Sequence, residues 1–70
     1  MADQNTDLGM ELRYFLMCSL EGKGKSASDL DAAEEADKLA AGIAIQKFNY
    51  RDIRDRRSSI KSLIDELKAG

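Results

Sequence analysis

The chain has no histidine, no proline and no tryptophan, and a single cysteine, Cys18, among its 70 residues. A lone thiol excludes an internal disulfide, and without histidine or a second thiol there is no ligand set for a structural zinc. The missing histidine also removes the usual base that activates a serine or cysteine nucleophile. Aromatic residues make up only 6% of the chain, which together with the lack of proline argues against a β-sandwich or barrel. The longest uninterrupted apolar run, Tyr14 to Cys18, is far short of the roughly 20 residues that span a bilayer. Nor is there a basic excess. Eleven basic and thirteen acidic residues give a net charge of −2, so no global positive field draws nucleic acid or an anionic membrane.

What is present suits one small helical domain over residues 1–70, with 43% apolar and 34% charged residues. Chains of this size bury only about 60% of the surface that the unfolded form exposes, so good local helix chemistry or oligomerisation must make up the difference. Residues 1–6 are expected to be mobile. They are acidic where a secretory leader needs a basic stretch followed by an apolar one, which points to a cytoplasmic location.

A first helix over about 7–20, capped by Thr6 or Asp7, places Leu8, Leu12, Phe15, Leu16 and Leu20 on one continuous face. Met10, Tyr14 and Met17 recur on nearly the opposite face. A helix with two apolar sides in so small a chain calls for neighbours on both. The leucine-rich face is expected to enter the chain's own bundle, leaving Met10, Tyr14 and Met17 for a second copy or a partner groove, where Met and Tyr are favoured. Met17→Glu is then expected to weaken self-association.

The stretch 21–27, with Gly22 and Gly24 and no apolar anchor, reads as a flexible linker closed by Ser28 as N-cap. A second helix over about 29–47 carries acids in its first turns and an inward strip of Ala32, Ala33, Ala36, Leu39, Ala40, Ile43 and Ala44, suited to close helix packing. Asn49 as N-cap, Asp52 three residues on and Phe48 stapling onto Ile53 favour a turn, with a third helix over about 50–68 whose apolar arc is Tyr50, Ile53, Ile60, Leu63, Ile64 and Leu67. The expected fold is therefore all-α, a three-helix bundle or helical hairpin. The alternative is one fused coiled-coil-like helix, because the seam from Ala32 to Leu67 alternates by four and three without interruption.

Few motifs carry chemistry. Gly22-Lys23-Gly24-Lys25-Ser26 ends like a phosphate-binding loop, but the motif's first glycine falls at Ser19 and no strand precedes it. Asp29, Asp31, Glu34, Glu35 and Asp37 lack the spacing and glycine of a calcium loop and read as helix N-terminal charge. No catalytic, cofactor or metal residue is expected, and no small-molecule substrate.

The charge is uneven: residues 1–46 carry nine acids against four bases, and residues 47–70 seven bases against four acids. Arg51, Arg54, Arg56 and Arg57 at the head of the third helix resemble the recognition end of a helix-turn-helix, with Arg51 and Arg54 pointing away from the apolar arc as the alternative nucleic-acid contacts. Against this, Arg51–Asp55 and Asp52–Arg56 have the spacing of local ion pairs. Arg57 falls inside the arc, where it either stretches its stem along the core or meets an acid on a partner. The residues thus point to a non-enzymatic cytoplasmic protein–protein interaction module, a small regulator, adaptor, inhibitor or chaperone that self-associates. A nucleic-acid-binding regulator or a structural subunit of a larger assembly are the alternatives.

Overall fold

Helix-favouring residues dominate each segment between the two turns, and the computed structural model holds three helices among the described residues: α1 (Ala2–Ala27), α2 (Leu30–Gln46) and α3 (Ile53–Ala69). The backbone is described from residue 2 and the side chains from Leu8. The backbone of α1 already runs through Thr6 and Asp7, so neither caps it and the helix begins before the expected residue 7; the expected mobile stretch 1–6 falls outside the residues described in full. The helices pack as a small three-helix bundle, with α2 close against both neighbours and α1 and α3 meeting chiefly through side chains. The long fused helix is not formed.

One core draws on all three elements. Met17, Ala36, Ala40, Ile43, Ile53 and Ile60 are fully buried together, with Tyr14, Cys18, Leu20, Leu39, Ala44, Tyr50 and Ile64 packed around them. The alanine strip faces inward as its periodicity predicts. Because its side chains are small, most of the core volume comes from Met17, Ile43, Ile53 and Ile60, the largest fully buried side chains. Ala36 has no exposed surface, and Ala36→Leu is expected to destabilise by about 1–3 kcal/mol in a urea titration, since the extra methylenes have no space.

The expected linker at 21–27 does not exist, since α1 runs to Ala27. Glu21 and Gly24 lie four and seven residues beyond Met17 and so continue its buried face. Gly24 is there for closeness: a Cβ added to it would stand 3.2 Å from both the Ala33 Cβ and a Leu63 Cδ. At Gly24 this close packing offsets the roughly 1 kcal/mol that a glycine costs a helix.

The turn into α2 also departs from expectation. Ser28 is not the cap; it takes a left-handed φ of 52°, and the Asp29 N–H returns to the Gly24 carbonyl at 3.2 Å, the geometry of a Schellman ending. Asp29 then caps α2, its Oδ1 accepting from the Ala32 N–H at 3.1 Å.

The second turn is longer than Asn49 capping would make it. Tyr50 N–H bonds the Lys47 carbonyl and Ile53 N–H the Tyr50 carbonyl. Arg51, with φ 46°, takes the left-handed position that a glycine would ordinarily fill. Helix α3 consequently starts three residues late, and Phe48 stays exposed instead of stapling onto Ile53.

Candidate functional site

Two surfaces contain the residues singled out from the sequence. The first is α1 itself, whose orientation is the reverse of expectation. Met10 and Met17 are buried at 2% and 0% exposure, and Tyr14 packs against the core. Leu8, Leu12, Phe15 and Leu16 keep 53–63% of their surface. The two-sidedness of the helix is real, but the free side is the leucine-rich one. Met10, Tyr14 and Met17, expected to meet a partner, are core. The physical reason is fit. Met side chains reach and conform to a shallow alanine surface, and the same seam extends through Glu21 to Gly24, where a Cβ would crowd the side chains of Ala33 and Leu63. Branched leucines and a phenylalanine on that face would hold α1 away from α2.

The free stripe covers about 60° to each side of Leu12 on a wheel of 3.6 residues per turn. Ile45 and Phe48, 84% and 63% exposed, stand near the end of α2, the same end of the bundle as the first half of α1. Such a run of large apolar side chains in water is the feature that marks an interaction site.

The second surface joins α1 to the head of α3. Tyr14 Oη donates to Asp52 Oδ1. Asp52 Oδ2 accepts from Arg56 Nε at 3.2 Å, and Arg56 Nη1 reaches Glu21 Oε1 at 3.4 Å. Glu21 is only 3% exposed; Lys25 Nζ is 3.5 Å from its other oxygen, without the geometry of a hydrogen bond. Asp52 directs its carboxylate to Tyr14 and Arg56 and makes no side-chain cap bond to α3.

Arg51 does not pair with Asp55. It sits outside the helix, so the four-residue spacing does not bring the two together, and it meets Glu11 at 3.6 Å instead. Its guanidinium lies 5.4 Å and 5.6 Å from the Tyr14 and Tyr50 ring centres. Arg54 stacks on Phe48 at 5.8 Å. Arg57 is half-buried along the arc, as its wheel position predicts, and its Nε is buried with no hydrogen-bond partner. Of the four arginines at the head of α3, two are thus tied to acids on α1.

The tyrosine–aspartate bond sets two ionisations. Accepting the Tyr14 hydroxyl holds the Asp52 carboxyl below its ordinary 3.8, and donating to Asp52 holds the Tyr14 hydroxyl above its ordinary 10.0. The aspartate's contribution to stability is therefore present above pH 3.8 and is lost as pH falls through its lowered value. The tyrosine's is complete below pH 10.0 and is lost as pH rises through its raised value. Tyr14→Phe is expected to cost about 0.5–1 kcal/mol near neutrality, a small figure because the bond is partly open to water. In paired urea titrations the difference from wild type should shrink at both pH extremes.

Among the described residues no group of three or more Cys, Asp or Glu side chains is placed to hold a metal ion. Gly22-Lys23-Gly24-Lys25-Ser26 is helical, so its amides are not splayed to wrap a phosphate. Among the described residues no helix is long and apolar enough to cross a membrane. No family model matches the chain, and no curated protein or solved structure matches it.

Proposed function

We propose that the chain is a non-enzymatic protein–protein interaction module, a small cytoplasmic regulator, adaptor, inhibitor or chaperone, that docks through the outward face of α1. The observation that carries this reading is the row Leu8, Leu12, Phe15 and Leu16, more than half exposed on a helix whose opposite face already fills the core. A folded helix gains nothing within its own chain from such a row. Against a second apolar surface each of these side chains contributes roughly 1 kcal/mol or more on burial. Arg57, half-buried on α3, is the polar contact proposed there, through the part of its guanidinium that stays accessible. The engagement of Arg51 with Glu11 and of Arg56 with Glu21 leaves the head of α3 poorly suited to phosphates.

The test is cross-linking in source cells with wild type and Leu12→Glu, followed by mass spectrometry. Specific protein adducts, the chain itself included, should form with wild type and vanish with the variant. The same adducts from both, or salt-sensitive retention of nucleic acid alone, would contradict the reading.

A further inference from the structure

We infer that the occupant of the α1 face is the same face of a second copy, with the two α1 helices parallel and in register, making the chain a two-fold dimer. This rests on the reading of that face as a docking surface. Three observations select the occupant and the direction.

The first is area. The four large side chains expose on the order of 400 Å² per copy, and two copies, with the flanking aliphatic stems, close on roughly 1,000 Å², where specific interfaces begin. A 70-residue chain with no disulfide also gains core from its own copy.

The second is Gly9, in the interior of α1 and on the same stripe. Among the described residues a Cβ placed there would meet nothing within 4 Å, as at Gly22 and Gly42, but Gly9 alone of the three lies beside Leu8, Leu12 and Leu16 on the exposed stripe. Its bare backbone leaves room there for close approach of another helix.

The third is charge. Viewed along α1, Gly9, Arg13 and Leu16 lie on one flank of the stripe, and Leu8, Glu11 and Phe15 on the other. A two-fold axis parallel to the helices sets opposite flanks together at equal height. Leu16 then meets Phe15 of the second copy, Leu8 fills the space over its Gly9, and Arg13 meets its Glu11, twice over. An antiparallel pair would instead set Arg13 against Arg13 and Glu11 against Glu11. Arg13 is exposed and has no ion-pair partner among the described residues. Glu11 uses one oxygen for Arg51, which leaves the other for this contact.

The test begins with sedimentation equilibrium of the full chain. Wild type should pass from monomer to dimer in the micromolar range, and Leu12→Glu should raise the dissociation constant by about tenfold or more while its circular dichroism stays helical. Direction is read in a Cys18→Ser background by mixing Leu8→Cys and Leu16→Cys chains under mild oxidation. Parallel register gives 8–8 and 16–16 disulfides, and a dominant 8–16 product would overturn it. A wild type that stays monomeric at high micromolar concentration, yet forms another protein's adduct that Leu12→Glu abolishes, would overturn the second-copy occupant and leave the docking surface standing. A monomer with no adduct, or one that binds anionic vesicles instead, overturns both.

Discussion

Met17→Glu is expected to unfold the chain, and Leu12→Glu to leave it folded. The two residues lie five apart on one helix and are both large and apolar, so neither composition nor helix propensity separates them. Burial does. Met17 is fully enclosed by α2 and α3, whereas Leu12 keeps 63% of its surface. A glutamate at 17 would place a carboxylate among Ala36, Ala40, Ile43 and Ile60 with no base in the core to pair it, a cost of several kcal/mol. That is comparable to the 3–5 kcal/mol or so that a single core supplies to a chain of this size. At Leu12 the carboxylate stays in water. Far-ultraviolet circular dichroism during thermal melting should show no cooperative transition for the first variant and a near-normal one for the second.

Ile60→Ala is expected to have the next largest effect, a loss of about 3 kcal/mol in urea titration. Ile60 is fully buried on α3 opposite a strip built of alanines. Small residues cannot rearrange to fill the space that the isoleucine leaves, so the cavity persists and its full cost is felt. The equivalent truncation of Ile45, 84% exposed on α2, should change stability by less than about 0.5 kcal/mol.

The inward strip of α2 and the arc of α3 were legible because each helix has a single apolar face, so periodicity alone points it toward the core. Helix α1 has two. The more hydrophobic face was the natural candidate for the interior, and hydrophobicity misled there because what selects a face is its fit to the partner surface. The deciding signal lay in the seam Met10, Tyr14, Met17, Glu21 and Gly24, which alternates by four and three. Its last two members looked like linker: one is charged and the other is a helix breaker.

Glu21 is tolerated in the interior only because Arg56 reaches it from a helix 35 residues away, a pairing that local spacing cannot reveal. The turns were obscured for a related reason. Both reversals fall close to where the sequence signals put them, but Ser28 and Arg51 take left-handed backbone without being glycine, so the residues that make each turn were not the ones expected to cap. Arg57 was placed correctly because a long side chain on an apolar arc has few other arrangements open to it.

The orientation of α1 underlies both the core and the docking face, and a methyl-resolved NOESY spectrum tests it most directly. Recorded under monomeric conditions, the Met17 ε-methyl should show cross-peaks to the Ala36 and Ala40 methyls, with none between those alanines and the methyls of Leu12 or Leu16. Cross-peaks from Leu12 or Leu16 to the alanine strip, with Met17 silent, would contradict the fold of α1 and with it the surface assigned to binding.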